Sequence, residues 1–165
     1  MRAALGLSRQ IFFVSLGGFD THSGQGTVAG TGAQPTLLQV LSQGLKAFDD
    51  AMAYLAVQNS VTTFTVSDFG RALQPNTGGG SDHAWGNHQL IMGGAVHGQE
   101  LYGQFPTLSL GGPNDSSNNG RWIPTTSIDQ YGATLASWFG VDSANLPSIF
   151  PNLGNFATQN LGFLG

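Results

Sequence analysis

The sequence contains no cysteine, and this absence excludes several kinds of site. Disulfide bonds, thiolate zinc sites, iron–sulfur clusters and thiol nucleophiles all require that residue. Long hydrophobic runs are missing as well, because the longest strongly apolar stretch is residues 11–14. A helix that crosses a bilayer needs about 20 apolar residues. The sequence therefore predicts no membrane insertion.

Charge is also scarce. Charged residues make up only 8% of the 165 residues, against about 25% in an average domain. Five Lys and Arg residues stand against nine Asp and Glu residues, which gives a net charge of −4. Because nucleic acids and anionic membranes are bound through clustered cations, we expect neither as a partner.

What the chain does contain is typical of one globular domain. Hydrophobic residues make up 40% of the sequence, and 25 glycines indicate long, tightly turning loops. No repeat or linker divides the chain, so residues 1–165 are expected to form a single domain. Residues 1–7 carry one cation and too short an apolar stretch for a signal peptide.

Two apolar runs and the amphipathic pattern between them predict a βαβ unit. Residues 11–16 are typical of a strand buried on both faces, and residues 61–66 are rich in β-branched side chains. Between them, a capping-box pattern at residues 36–39 and an apolar stripe predict a helix from residue 36 to about residue 57. The stripe consists of Leu37, Leu41, Leu45, Phe48, Met52 and Leu55. The crossover rule makes the two strands parallel, so the expected fold class is α/β.

The second half of the chain predicts fewer regular elements. Residues 90–96 and 107–110 are typical of strands. A second capping-box pattern at residues 127–130 begins a helix that ends at Gly140. Beyond it we expect turns and short helical pieces, interrupted by Pro147 and Pro151.

Carboxylates and imidazoles follow the first two predicted strands. They are Asp20, His22, Asp68, Asp82, His83 and His88. Ligand sites of open parallel sheets lie at the carboxyl edge, so we expect these side chains to meet there. Carboxylates with imidazoles suit zinc, manganese or iron, and carboxylates alone suit calcium or magnesium. Each Asp alone is better explained as a turn former or helix cap. The joint pattern in so acid-poor a chain favours a metal site.

Arg71, one of only five basic residues, has two interpretations. Its guanidinium group could clamp a phosphate or sulfate oxygen through two hydrogen bonds. It could equally form a salt bridge with Asp68 or Asp82, and the sequence leaves both open.

Three stretches carry a family resemblance: residues 9–22, 67–71 and 80–88. They resemble hallmarks of a bacterial family known only as domain of unknown function 1501. Four further stretches continue in register, at residues 93–96, 101–103, 111–113 and 120–127.

That family is similar to the alkaline phosphatase and sulfatase superfamily. The resemblance implies a three-layer α/β/α fold with a mostly parallel sheet and a two-metal site at the carboxyl edge. Carried over, Asp20 and His22 match the Asp and His of one metal, and His83 matches its later His. Asp68 matches the strand-end Asp of the other metal, although Phe69 stands where a His often follows. Asp82 or His88 would complete the ligand count.

The resemblance also implies a cofactor and a substrate class. Zinc is the expected divalent metal, with manganese or calcium as alternatives. The expected activity is metal-dependent hydrolysis of a small anionic ester, a phosphate or a sulfate. A periplasmic or extracellular location follows from the same resemblance.

The superfamily places its nucleophile and one metal-binding Asp on a first strand that this chain does not match. The chain is therefore expected to be a partial domain, the C-terminal half, without hydrolase activity of its own. Its expected partner is the missing N-terminal half or a second copy of itself. The alternatives to a hydrolase are a non-catalytic metal-binding protein, exported or at the surface, and a vestigial fragment.

Overall fold

The structure is a computed structural model that describes residues 6–26 and 30–165. Residues 1–5, where no signal peptide is predicted, and positions 27–29 of a predicted loop lie outside these ranges. The described helices and strands, in chain order, are α1 (Ala33–Tyr54), β1 (Thr62–Phe64), β2 (Gly70–Pro75), β3 (Ser81–Ala84), β4 (Ile91–Gly93), α2 (Ile128–Phe139) and α3 (Leu146–Ile149). Short 3-10 turns occupy Gln58–Ser60, Ser143–Asn145 and Leu153–Asn155.

The four strands form two separate two-stranded sheets, and both are antiparallel. Strand β1 pairs with β4, with Thr63 opposite Met92. Strand β2 pairs with β3, with Arg71 opposite His83 and an irregularity before Pro75. The prediction of a three-layer α/β/α fold with a mostly parallel sheet is therefore wrong.

The source of that error is residues 11–16, which form no strand. A parallel βαβ unit needs this segment to pair with β1, but β1 pairs with β4 instead. A strand that is apolar on both faces also needs a covering layer on each side. The described chain provides neither layer, and the side chains of Ile11, Phe12, Phe13 and Val14 are 77–88% exposed.

Helix α1 confirms the predicted amphipathic helix but not its predicted start. The helix begins at Ala33, and its N-cap is Gly32, which has no side-chain cap. The capping box at residues 36–39 is wrong, because the Thr36 hydroxyl donates to the Gly32 carbonyl oxygen over 3.0 Å within the helix. Pro35 is tolerated since the N–H groups of a first turn have no partner in the helix. No residue of α1 is buried.

Three other predicted segments differ in outcome. The strands at residues 61–66 and 90–96 are confirmed in shorter form, as β1 and β4. Residues 107–110 form a loop and not a strand. The Thr107 N–H in this loop donates to the side-chain oxygen of Asn114 over 2.9 Å. The β2–β3 hairpin lies where the sequence predicts only loops.

The core lies around α2 and the C-terminal turns. The predicted capping box is confirmed, because the Ser127 hydroxyl accepts the Asp129 N–H and the Gln130 side chain accepts the Ser127 N–H. Gly140 ends the helix in the left-handed conformation, as predicted. The buried cluster consists of Ala133, Leu146 and Leu153, with Ala136, Val141 and Phe150 packed against it. The predicted short helical piece near Pro147 is α3.

A loop after β4 supports the β2–β3 hairpin. The N–H groups of Leu73 and Gln74 donate to the carbonyl oxygens of Gly120 and Asn119 over 3.2 and 3.0 Å. The Arg121 Nε donates to the carbonyl oxygen of His83 over 3.0 Å. The loop is thus hydrogen-bonded to the hairpin along β2 and at His83 of β3. Among the described helices, none is long and apolar enough to cross a membrane.

Candidate metal centre

The loop that carries Asp20 and His22 docks on the turn of the hairpin. Thr21, between them, is buried, and its carbonyl oxygen accepts the Ser81 N–H over 3.2 Å. Gly80 allows this approach, because a Cβ at that position would overlap the backbone of Thr21 and His22. With Thr21 buried, the side chains of Asp20 and His22 on either side of it are exposed to solvent.

Strand β3 presents the second group of side chains. Its end residues, Ser81 and Ala84, are buried, whereas Asp82 and His83 between them are exposed. The irregular register before Pro75 accompanies this departure from strict alternation. Two potential ligands therefore face the same side as the docked loop.

Asp20, His22 and His83 converge on one point. The Nε2 atoms of His22 and His83 lie 3.0 and 2.6 Å from the same oxygen, Oδ1 of Asp20. One ligand atom from each of the three residues falls within 4.8 Å of the others. Their side chains are 49–60% exposed, so the cluster is open to solvent.

Aromatic stacking fixes the ring of His83. It stacks on the His22 ring with centroids 4.8 Å apart and on the Phe69 ring with centroids 4.3 Å apart. The interplanar angle with Phe69 is only 9°. Phe69, which follows Asp68, therefore contacts the cluster by stacking on the His83 ring.

Arg71 holds Asp20 against the hairpin. Its Nη1 donates to Asp20 Oδ1 over 3.1 Å, and its Nε donates to the Ser81 hydroxyl over 3.1 Å. Its Nη2 donates to the Ser81 carbonyl oxygen. The side chain is only 12% exposed. Arg71 therefore forms a salt bridge, but with Asp20 and not with Asp68 or Asp82, the two partners considered from the sequence.

Asn76 joins the two ligand-bearing segments. Its Nδ2 donates to the His22 carbonyl oxygen and to Asp82 Oδ1, each over 3.1 Å. Its Oδ1 accepts the N–H groups of Gly78 and Gly80, which shapes the turn between β2 and β3. One amide therefore fixes both the turn and its distance from the docked loop.

Asp82 lies on the far side of His22 from Asp20. Its Oδ1 is 3.6 Å from His22 Nδ1, while Nε2 of the same ring faces Asp20. Arg121 Nη2 approaches the other oxygen of Asp82 at 3.8 Å. A carboxylate at the second nitrogen of a histidine is the usual support of a metal-binding imidazole.

Both carboxylates favour their ionised forms. The hydrogen bond from His83 is the main cause that lowers the pKa of Asp20, and Arg71 and His22 add to it. The hydrogen bond from Asn76 is the main cause that lowers the pKa of Asp82, with help from His22 and Arg121. Ionised carboxylates are the form that binds a cation.

The donor set fits a divalent metal of intermediate softness. Two imidazole nitrogens and one carboxylate oxygen are a common ligand set for zinc, and such three-ligand sites keep a fourth position open. Calcium prefers six to eight oxygen ligands, which this cluster does not provide. Asp20, His22 and His83 would hold the metal, and Asp82 would orient His22.

Three of the six predicted ligands lie outside this group. Among the described residues, the group that could hold a metal does not include Asp68, Asp82 or His88. The His88 ring instead stacks on Phe105 with centroids 5.0 Å apart. Sequence reasoning missed Asn76, although an Asn before Thr77 and three glycines is a recognisable turn signal.

Asp82 is one of the residues that line an open cavity of about 400 Å³. Its lining is polar and contains one cation, Arg121. The remaining lining residues are Ala72, Gln74, Pro75, Asn76, Thr77 and Asn119. Asp82 and Asn76 thus contact both the cavity and the cluster.

Comparison with protein families gives one match. Residues 2–120 match the family described as Protein of unknown function (DUF1501). The matched region covers more than half of the chain and includes every residue of the cluster. No curated protein and no solved structure matches the chain. The chain therefore belongs to the DUF1501 family of proteins of unknown function.

Proposed function

We propose that this protein binds a divalent metal ion through Asp20, His22 and His83, and that the ion is zinc. The observation that carries the proposal is the convergence of two imidazole Nε2 atoms on one carboxylate oxygen, at 2.6 and 3.0 Å. Three side chains from two separate segments meet at that point while all remain exposed to solvent.

The residues around the cluster support this assignment. Arg71 restrains Asp20, Phe69 and His22 restrain the His83 ring, and Asp82 faces the second nitrogen of His22. Ligands whose orientation is already fixed lose little conformational freedom when an ion binds. When bound, the metal would supply Lewis acidity at an open coordination position.

Metal content tests the proposal directly. We expect the purified chain to contain close to one zinc ion per molecule by elemental mass spectrometry. Asp20→Ala and His83→Ala should lose it, because each removes one of three ligands. His88→Ala is the matched control, since it removes an exposed histidine outside the group, and it should retain the metal. A folded wild-type chain that stays metal-free after zinc is added would refute the proposal.

Hydrolysis of a phosphate or sulfate ester is a second candidate function. The cavity that contains Arg121 next to Asp82 favours it, because a cation beside a metal suits a small anionic ester. The family's resemblance to alkaline phosphatases and sulfatases supports the same chemistry. This activity would also require a nucleophile. The superfamily carries its nucleophile on a strand to which no part of this chain corresponds.

We expect the zinc-loaded chain alone not to hydrolyse para-nitrophenyl phosphate or sulfate, because none of its Ser or Thr residues matches the superfamily's nucleophile. Release of para-nitrophenol, followed by absorbance, checks this. Turnover by the wild-type chain that Asp20→Ala abolishes would contradict the expectation and would place the whole reaction in this chain. Turnover that survives Asp20→Ala would indicate a contaminant.

A further inference from the structure

The chain contains a single Asn–Gly pair, Asn119–Gly120, in the loop that is hydrogen-bonded to β2. An asparagine that precedes glycine is especially prone to spontaneous deamidation, because glycine has no side chain to hinder attack by its nitrogen. That nitrogen attacks the side-chain carbonyl carbon of the asparagine and closes a succinimide ring. By its sequence, Asn119 is therefore a site of chemical modification.

The fold requires the glycine of this pair. Gly120 is buried, and its φ of +75° is in the left-handed region that favours glycine. A Cβ at this position would lie 2.4 Å from the Cβ of Leu73 and 3.0 Å from its backbone nitrogen. A bulkier residue that would slow the attack cannot be accommodated here without displacing β2.

The side chain of Asn119 is open to reaction. Asn119 is exposed and lines the cavity of about 400 Å³ that Arg121 and Asp82 also line. Within the described part of the chain, its side-chain amide makes no hydrogen bond. Any restraint on the reaction therefore acts on the backbone of the pair.

The peptide group between the two residues is hydrogen-bonded at both ends. The Asn119 carbonyl oxygen accepts the Gln74 N–H over 3.0 Å, and the Gly120 N–H donates to Asp115 Oδ2 over 2.9 Å. Ring closure requires the Gly120 nitrogen to lose its proton and to reach the Asn119 side chain. A carboxylate bonded to the N–H opposes loss of the proton, and the two hydrogen bonds oppose rotation of the peptide group.

We propose that Asn119 is a spontaneous deamidation site that Asp115 protects in the native fold. In the reaction, a bond forms between the Gly120 nitrogen and the Asn119 Cγ, and the Cγ–Nδ2 bond breaks. The leaving group departs as ammonia with the proton from the Gly120 nitrogen. Water then opens the succinimide at either carbonyl and leaves aspartate or isoaspartate at position 119.

The products would alter both the cavity and the loop. The lining contains one cation, Arg121, and one carboxylate, Asp82, so either product adds a second carboxylate. Isoaspartate also adds a methylene group to the main chain between the carbonyl groups that accept from Gln74 and Leu73. Because these hydrogen bonds join the loop to β2, isoaspartate would break their spacing.

Peptide mass spectrometry tests the proposal in mildly alkaline buffer with EDTA, which makes the result independent of the metal proposal. We expect deamidation of Asn119 to be at least about tenfold slower in the folded wild-type chain than in guanidinium, a difference of about 1.4 kcal/mol in the barrier. In the unfolded chain Asn119 should react well before Asn155, an internal control that precedes the bulky Phe156.

The variant Asp115→Ala tests the role of the carboxylate. In the folded state it should deamidate at least about tenfold faster than wild type, because loss of a hydrogen bond to a charged group has that magnitude. Asp49→Ala, which removes an exposed carboxylate of α1, is the matched control and should react like wild type. All three proteins should react equally fast in guanidinium, and circular dichroism verifies folding.

Hydrogen exchange of the wild-type chain gives a second measurement that needs no variant. The Gly120 amide should exchange far more slowly than in the unfolded chain, since the same N–H must be released before the nitrogen can attack. This measurement decides the matter if Asp115→Ala does not fold.

Four outcomes would overturn the proposal. They are equal deamidation rates in folded and unfolded wild type, a folded Asp115→Ala variant as slow as wild type, an equal acceleration by Asp49→Ala, and a Gly120 amide that exchanges at its unfolded rate.

Discussion

A single oxygen atom, Oδ1 of Asp20, lies within 3.1 Å of three nitrogen atoms. One belongs to His22, which is close to Asp20 in the sequence, and the others belong to Arg71 and His83, which are 51 and 63 residues away from it. Such a concentration of donors on one carboxylate keeps it ionised, in agreement with its lowered pKa. The negative charge of the ionised carboxylate attracts a divalent cation.

At the residue scale, Asn76→Ala should weaken zinc binding about 10- to 100-fold, the usual effect of losing a residue that orients ligands. The variant loses the hydrogen bonds to the His22 carbonyl oxygen and to Asp82, together with those that shape the turn. Isothermal titration calorimetry with zinc measures the effect. Asn152→Ala, an exposed site away from the cluster, should bind like wild type, and equal affinities for all three proteins would contradict a positioning role for Asn76.

At the scale of elements, the hairpin depends on a loop that is organised by one carboxylate. Asp115 accepts the backbone N–H groups of Gly111, Ser117, Gly120 and Arg121 over 2.9–3.1 Å. Partial desolvation alone would raise the pKa of Asp115, but these hydrogen bonds together hold it below the ordinary value. The same loop carries Arg121, which contacts the His83 carbonyl oxygen and the Asp82 carboxylate, both in β3.

Because the pKa of Asp115 is lower in the folded state than in the unfolded state, its ionised form stabilises the fold above the ordinary Asp pKa of about 3.9. That contribution is lost as the pH falls through the folded-state pKa. We therefore expect Asp115→Asn to lower the urea midpoint at about pH 7, with the difference from wild type closing below about pH 3.9. Tryptophan fluorescence follows the unfolding. Asp49→Asn, on an exposed turn of α1, should have little effect, and a difference that is constant with pH would argue against the carboxylate.

At the scale of the whole molecule, most of the buried hydrophobic residues follow the part of the sequence that carries the candidate site, although Ala72 and Ala84 of the hairpin are buried as well. Every cluster residue lies in the matched region 2–120, whereas Ala133, Leu146, Leu153 and Phe163 of the core follow it. The N-terminal part contributes the exposed apolar residues 11–14 and a helix without a buried residue. The C-terminal part therefore supplies most of the buried hydrophobic residues of the described chain.

Phe163→Ala should lower the free energy of unfolding by about 3–5 kcal/mol, the usual cost of removing a buried aromatic side chain. Phe163 is completely buried, and its ring lies 5.7 Å from those of Tyr102 and Tyr131. Urea unfolding measures the loss. Ile149→Ala, at a half-exposed position, should cost much less, and similar losses for the two variants would show that the core lies elsewhere.

Local patterns predicted the elements whose stabilising contacts are close in sequence. The Ser127 and Gln130 capping box, the Gly140 stop and the stripe of α1 all depend on residues three or four positions apart, and each is present in the structure. The acid-poor composition also directed attention to six candidate ligands, of which Asp20, His22 and His83 meet in the structure. It did not separate these three from Asp68, Asp82 and His88.

Strand pairing could not be predicted from such local patterns. Residues 11–16 have the composition of a buried strand, but burial depends on which segments cover them, and the described chain leaves them exposed. The hairpin was missed because its strands have no alternating apolar pattern, and its register depends on Asn76 and on the docked loop. Sequence therefore specified short-range structure and the chemistry of candidate ligands. Long-range contacts selected which strands pair and which ligands meet, because both depend on the distance in space between segments far apart in the chain.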